Sequence, residues 1–210
     1  MASSNRMSKI KNSLEKDVKL LFEIGCFRYV VRTWKRFMNP DVENCAEHTL
    51  RVMWVALTLA KHENNPNHEK IMKMALFHDM PESRTGDVDY ISRQYTKRNE
   101  TQAALDIFGQ TIHSDELALL EEYEKRESAE ARIVKDADTI EVELELVELQ
   151  HKGNPLGTIW NKDRRENVFP KLYTKSAQKI WKMIHQTNPH SWHLEGRNRF
   201  TSGDWLKGGK

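Results

Sequence analysis

Two histidines and an adjacent aspartate stand where helical periodicity turns them toward the protein interior. His48 is in register with Val52 and Val55, while His78 ends an apolar stripe and is followed by Asp79. Buried polar groups need partners, and imidazole nitrogens and carboxylate oxygens are the ligands that hold divalent ions such as Mn, Co, Fe, Ni or Zn. Adjacent helical residues project about 100° apart. One ion can therefore contact both His78 and Asp79.

Helices are predicted along most of the chain, because apolar residues recur at helical spacing and sustained period-2 alternation is missing from the sequence. The predicted helices span about 10–22, 46–60, 71–78, 99–108, 114–124 and 128–151, with a last one opened by Pro170 and stopped by Asn188-Pro189. We therefore expect an all-α fold, a compact helical bundle.

Breakers and caps set the expected helix ends. Pro81 should end or kink the helix that carries His78, since proline lacks the N–H that a helix interior needs. Ser114 and Ser128 can cap the helices that follow them. The segment Gly153–Gly157 is predicted to be a turn.

Charge is unevenly distributed along the 210 residues, although the total is only +2. Residues 115–148 carry 13 acids and 4 bases, whereas residues 152–210 carry 4 acids and 12 bases. The bases of the C-terminal segment are scattered among Trp192, Phe200 and Trp205 without a repeat. This pattern does not indicate nucleic-acid binding.

Length and composition predict one domain over residues 1–186, with an irregular extension over 187–210. No apolar run is long enough to span a bilayer, and Met1 to Lys11 lacks an apolar secretory segment. Two cysteines are too few for a disulfide framework. We expect a cytoplasmic protein without membrane association.

Several short motifs follow one another in a definite order. They are Arg32-Thr33-Trp34, Glu47-His48, an H-D-x-x-E-x-x-x-G-D run from His78 to Asp87, and a K-x-x-D run from Lys135 to Asp138. This order resembles the HD-domain superfamily of metal-dependent phosphohydrolases, and most closely its branch of 5'-deoxynucleotidases. The resemblance covers roughly residues 15 to 150.

The resemblance implies one divalent metal ion per site, which could be Mn, Co, Mg, Fe, Ni or Zn. Its metal ligands fall on His48, His78, Asp79 and Asp138. Periodicity alone does not separate Asp138 from Asp136, because both stand beside apolar positions four residues away. The resemblance favours Asp138, and Asp136 remains the alternative.

The resemblance also implies roles for residues around the metal. Glu82 matches an acid that assists proton transfer, so Glu82 and Asp79 form the expected catalytic set. Arg32 and Trp34 match residues that contact substrate, where a guanidinium can pair with phosphate and a ring can lie against a base or sugar. Asp87 matches a position near the sugar, where a carboxylate can accept from a 3'-hydroxyl and crowd a 2'-hydroxyl.

The function so implied is hydrolysis of 5'-deoxynucleoside monophosphates, small-molecule substrates, to deoxynucleoside and phosphate. One alternative is hydrolysis of another phosphorylated nucleotide, such as a triphosphate, a cyclic nucleotide or guanosine tetraphosphate. Another is a nucleotide-sensing module without turnover. The resemblance also implies a homodimer.

Overall fold

The computed structural model describes residues 2–38 and 42–196, with side chains from residue 13 onward. The α-helices of this part of the chain are α1 (Ala2–Cys26), α2 (Lys35–Met38), α3 (Cys45–Lys61), α4 (His68–Phe77), α5 (Glu82–Thr85), α6 (Glu100–Phe108), α7 (Leu117–Lys125), α8 (Ala129–His151), α9 (Pro155–Asn167), α10 (Lys175–Ile184) and α11 (Ser191–Leu194). Within the described residues the only extended pairing is an isolated bridge between Val31 and Asn44. The predicted all-α fold is confirmed.

Contacts divide the chain into two compact units, residues 1–141 and 142–210, with the boundary inside α8. The division predicted from sequence, at residue 186, stays a prediction. None of the helices in the described ranges is long and apolar enough to cross a membrane.

The first unit is organised around α3 and α4, which pack against each other. Asn44 starts α3 with a capping box: its side chain accepts from the backbone N–H of Glu47, and the Glu47 carboxylate accepts from the N–H of Asn44 at 3.0 Å. Phe77 of α4 and Phe108 of α6 meet edge to face in a buried apolar cluster, with their ring centroids 5.0 Å apart. The cluster holds α4 and α6 together.

The predicted catalytic residues follow α4 closely: Asp79 lies in the turn that leaves α4, and Glu82 is the first residue of α5. Helix α4 ends at Phe77, as the position of Pro81 predicts, and α5 follows as one short turn. Gly86 ends α5 with φ +72°, a left-handed conformation that favours glycine. Asp87 follows this exit directly, and its charge acts on Glu82 at the start of α5.

The second unit contains a helix where the sequence predicted a turn over Gly153–Gly157. The turn ends at Asn154, whose side chain accepts from the N–H of Leu156, and Pro155 begins α9. Proline is well suited to a first helical position, because its fixed φ is helical and that N–H has no helical partner. Gly157 is buried so close to Leu146 that an added Cβ would lie 2.8 Å from the Leu146 carbonyl oxygen.

Three further predictions about helix ends meet different outcomes. The start at Pro170 is wrong, because Pro170 lies in a 3-10 turn and α10 begins at Lys175, where the Thr174 hydroxyl accepts from the N–H of Ala177. The Ser114 cap is wrong too, since Ser114 is the first residue of a 3-10 turn and Glu116 is the residue that precedes α7. The Ser128 cap is confirmed by its bond from the N–H of Ala131.

The extension predicted to be irregular includes one short helix, α11. The remainder of that prediction, residues 197–210, lies outside the described residues, and Phe200 and Trp205 lie there with it.

Candidate active site

The two predicted histidine ligands lie next to each other in the interior of the first unit. His48 comes from the middle of α3 and His78 from the first residue after α4, and both are buried. Their ring centroids are 5.7 Å apart. In both rings Nε2 is buried and has no hydrogen-bond partner within the part of the chain that the structure describes. Two nitrogen lone pairs are therefore available in one small region.

The opposite ring nitrogens hold both imidazoles in the orientation that a metal ligand needs. His48 Nδ1 lies 2.6 Å from Glu141 Oε2, and His78 Nδ1 lies 2.8 Å from the carbonyl oxygen of Ala75. A carboxylate and a carbonyl only accept hydrogen bonds. In each neutral ring the proton therefore sits on Nδ1, and the Nε2 lone pair faces the centre.

Two carboxylates complete the group. Asp79 Oδ2 lies 3.4 Å from His48 Nε2 and 3.2 Å from His78 Nε2. Asp138 Oδ1 lies 3.3 Å from His48 Nε2. The four residues that sequence predicted as ligands are thus brought together from α3, the end of α4 and α8.

Helix geometry separates Asp138 from its alternative. Asp136 is two residues earlier on α8 and so projects roughly 200° away from Asp138 around the helix. Asp138 lies beside His48, whereas Asp136 is itself buried, with 1% of its surface exposed. Of the two, Asp138 is the residue that the structure brings to the centre.

The carboxylates at the centre are held in the ionised form. Burial raises the pKa of Asp138, but Lys135 and His48 outweigh burial and hold that pKa well below its usual range. Burial also opposes ionisation of Asp79, and the two histidines overcome it, so the pKa of Asp79 is lowered as well. Ionised oxygens beside unpartnered imidazole nitrogens form the donor set of a divalent cation site.

His48 titrates in the same field. Burial and the neighbouring Arg32 lower the pKa of His48, yet the surrounding carboxylates of Asp138, Asp79 and Glu141 raise it well above its usual value. The carboxylates that face His48 Nε2 at 3.3 and 3.4 Å supply negative charge that attracts a cation to the same place. The residues present therefore fit a divalent ion.

Glu82 lies at the edge of this group, at the start of α5. Its Oε1 accepts from Arg98 Nη1 at 3.0 Å, and its Oε2 lies 3.7 Å from the buried thiol of Cys45. Burial, with the nearby charges of Asp79 and Asp87, raises the pKa of Glu82 to about 8. Glu82 can therefore carry a proton near neutral pH.

Arg32 and Asp87 are brought together on another side of the centre. Arg32 is buried, and its Nη1 lies 3.7 Å from Asp79 Oδ2 and 3.8 Å from Asp87 Oδ2. The Asp87 carboxylate is held by Thr33, which donates from its backbone N–H at 2.9 Å and from its hydroxyl at 3.2 Å. Trp34 follows Arg32 and Thr33 on the segment before α2; it is half-buried, and its carbonyl oxygen accepts from the N–H groups of Phe37 and Met38. Its contact with substrate stays a prediction.

Sequence reasoning missed the residues that support these groups. Glu141 is fully buried and joins His48 to Arg51, whose Nε donates to Glu141 Oε1 at 2.7 Å. Glu141 follows Asp138 by three residues and Arg51 follows His48 by three. Residues three apart share a helix face, so this spacing was a signal that could have found both.

A family profile and individual related proteins both indicate the same family for this chain. The sequence profile of the family described as HD domain matches residues 24–184. The 5'-deoxynucleotidase HDDC2 of Danio rerio is 31% identical in an alignment of 140 residues that covers 63% of this chain and 69% of that protein. A 5'-deoxynucleotidase of Erwinia tasmaniensis is 32% identical in an alignment of 140 residues that covers 60% of this chain and 70% of that protein.

Solved structures share the fold. A predicted metal-dependent phosphohydrolase of Magnetospirillum magnetotacticum superposes with a TM-score of 0.67 at 22% identity, covering 83% of this chain and 92% of that one. A conserved hypothetical protein of Pyrococcus furiosus gives a TM-score of 0.66 at 22% identity, covering 81% and 99%. The chain therefore belongs to the HD-domain family, in the group that contains the 5'-deoxynucleotidases.

Proposed function

We propose that this protein hydrolyses 5'-deoxynucleoside monophosphates to deoxynucleoside and phosphate. The observation that carries the proposal is the buried centre itself, in which two unpartnered imidazole nitrogens and two ionised carboxylates lie beside Arg32 and Asp87. Curated relatives named 5'-deoxynucleotidase support this substrate class.

His48, His78, Asp79 and Asp138 would hold one divalent ion. When bound, the ion supplies Lewis-acid polarisation of a phosphoryl oxygen and makes water acidic enough to attack phosphorus at neutral pH. Two imidazole nitrogens favour Mn, Co, Fe, Ni or Zn over Mg, which prefers oxygen ligands. The carboxylate of Asp79 contributes to catalysis as one of these ligands.

Glu82 serves proton transfer in this proposal. Burial and the charges of Asp79 and Asp87 raise the pKa of Glu82 to about 8 in the metal-free chain, so Glu82 can carry a proton and donate it to the leaving 5'-oxygen as the bond to phosphorus breaks. Arg98 fixes one carboxyl oxygen of Glu82 and donates from the same Nη1 to the carbonyl of Gly86 at 2.8 Å. The acid is thereby held in a defined position.

Arg32, Asp87 and Trp34 bind the substrate. A guanidinium offsets the negative charge of the equatorial phosphoryl oxygens during transfer, and Arg32 is the buried guanidinium beside Asp79. Asp87, held in place by Thr33, accepts from a 3'-hydroxyl and disfavours a 2'-hydroxyl. The Trp34 ring lies against the base or sugar.

The test is phosphate release from a panel of 5'-deoxy- and ribonucleoside monophosphates, with metal-stripped protein resupplied separately with Mn, Co, Mg, Fe, Ni or Zn. We expect metal-dependent turnover that prefers deoxynucleotides and is lost in Asp79→Asn. Triphosphates, cyclic nucleotides and guanosine tetraphosphate are run beside them. Turnover of only those compounds would replace the substrate assignment, and binding without any turnover would favour the sensing module.

We also propose a homodimer in a reducing, cytoplasmic setting. Both Cys26 and Cys45 are free thiols. Helix α1 exposes apolar side chains spaced one helical turn apart, with Val18, Leu21 and Phe22 at 48%, 64% and 73% exposure. Large exposed apolar side chains grouped on one helix favour a protein–protein contact, and we assign this group to a second copy of this chain. Sedimentation of the intact chain measures the oligomeric state.

A further inference from the structure

The second unit contains an open cleft of about 530 Å³ formed by the end of α8, by α9 and by the end of α10. The volume lies within the range of small-molecule sites, roughly 300–1,000 Å³. No carboxylate is among its lining residues in the part of the chain that the structure describes; bases, amides and hydroxyls line it instead. None of them belongs to the candidate active site. The lining chemistry selects for an anion.

Two cations of α9 supply the positive charge. Lys162 and Arg165 both line the cleft, and residues three apart share a helix face. Arg164, between them in sequence, is neutralised internally by Glu143 at 2.8 Å. Among the described residues neither Lys162 nor Arg165 has a carboxylate within ion-pair distance, so both keep their charge for a ligand.

A buried amide in the cleft lacks part of its hydrogen bonding. Asn161 is only 6% exposed and lines the cleft; its Nδ2 donates to Gln150 Oε1 at 2.9 Å. Its Oδ1 has no partner within the described part of the chain. Buried acceptors are normally paired, so Oδ1 has unused capacity to accept from a donor such as a hydroxyl or an amino group.

The remaining walls suit a flat ring. Val147 and Ile184 provide apolar surface, and the imidazoles of His151 and His185 also line the cleft. Apolar and aromatic walls with a few placed polar groups are the usual lining of small-molecule sites. These walls are compatible with a ligand that has an anionic end, a hydrogen-bond donor and a planar ring.

We propose that this cleft binds a nucleoside phosphate. Lys162 and Arg165 contact the phosphate, Asn161 Oδ1 accepts from a sugar hydroxyl or a base amino group, and the ring lies against the apolar and imidazole walls. This site is additional to the proposed hydrolytic centre, and its ligand is held without being turned over.

The test uses the full chain carrying Asp79→Asn, in EDTA, so that no turnover occurs. Adenosine, guanosine, cytidine and uridine 5'-monophosphates are titrated calorimetrically, with inorganic phosphate and the free nucleosides as separate arms. We expect a nucleotide-binding event that weakens at least about tenfold in Lys162→Glu/Arg165→Glu, since two charge-assisted hydrogen bonds are lost. Lys175→Glu/Lys179→Glu, two exposed α10 lysines outside the cleft, makes the same charge change and should leave binding unaltered.

Three results would overturn the proposal: no nucleotide binding, binding that Lys162→Glu/Arg165→Glu leaves unchanged, or phosphate binding as tight as that of every nucleotide. In the chain with Asp79 intact, Lys162→Glu/Arg165→Glu should retain metal-dependent phosphate release. Calorimetry thus tests the binding proposal for the cleft, and phosphate release separately tests the hydrolytic assignment.

Discussion

Glu141→Gln tests whether the hydrogen bond behind His48 sets the metal affinity. Glu141 is fully buried and accepts from His48 Nδ1 at 2.6 Å and from Arg51 Nε at 2.7 Å. Glutamine keeps the shape but has one oxygen and one amino group, so it can accept from only one of the two donors. If the amino group faces His48, the imidazole proton moves to Nε2, the atom that faces the metal.

The expected magnitude depends on which orientation glutamine takes. The Arg51 side chain is 28% exposed and can turn toward water, so the amino group is expected to face Arg51 while the oxygen still accepts from His48. The ring then keeps its tautomer but loses the neighbouring negative charge. Mutation of such a supporting partner weakens metal binding about 10- to 100-fold, which corresponds to about 1.4–2.7 kcal/mol.

Glu143→Gln is the matched control. Glu143 lies two residues further along α8, is equally buried, and also pairs with an arginine and a histidine, Arg164 at 2.8 Å and His185 at 2.7 Å. Both variants should lower the free energy of unfolding, by roughly 1.5–3 kcal/mol for each lost charge-assisted bond. Only Glu141→Gln should weaken the metal.

Metal affinity is measured by chelator competition and stability by urea unfolding of the metal-free chains. Equal metal affinity in Glu141→Gln and the parent chain, within a factor of two, would refute the argument. Equal weakening in both variants would show that general destabilisation, rather than the contact with His48, is responsible.

Three further predictions concern proton transfer, the fourth ligand and assembly. Glu82→Gln should lower turnover about 10²- to 10⁴-fold. The pKa of Glu82 is raised from 4.5 to about 8. Its contribution to the stability of the metal-free chain is therefore complete below pH 4.5 and is lost as the pH rises through 8. Thermal melts from pH 5 to 9 should show this loss of stability in the parent chain and a smaller loss in Glu82→Gln. Asp138→Asn should reduce metal retention during dialysis, whereas Asp136→Asn should change stability alone; the opposite pattern would exchange their roles. Phe22→Asp on α1 should give a monomer by sedimentation, and an unchanged mass would remove α1 from the interface.

Local sequence patterns predicted most of the helices and the types of residue at the centre, because periodicity and caps act within a few residues. The Ser128 cap is of this kind. The same local logic failed at Pro155, where a proline beside two glycines suggested a turn although proline also opens helices. A proline can mark either a turn or the start of a helix, and only the surrounding packing decides between the two.

The support of His48 was decided by tertiary structure. Glu141 Oε2 reaches His48 Nδ1 across 93 residues of chain. Spacing marks Glu141 as sharing a face with Asp138, but only the side-chain contacts between α3 and α8 show which residue that face meets. Asp138 itself was named from a resemblance, and the helix geometry then separated it from Asp136.

The titration of the site was decided in the same way. Nothing local distinguishes Glu82 from an exposed carboxylate at a helix start; its pKa of about 8 comes from burial and from Asp79 and Asp87. The sequence by itself therefore determined an all-α chain with a metal-type set of ligands. Tertiary structure decided how those groups ionise and which partners orient them, because desolvation and charge interactions depend on distances in space rather than along the chain.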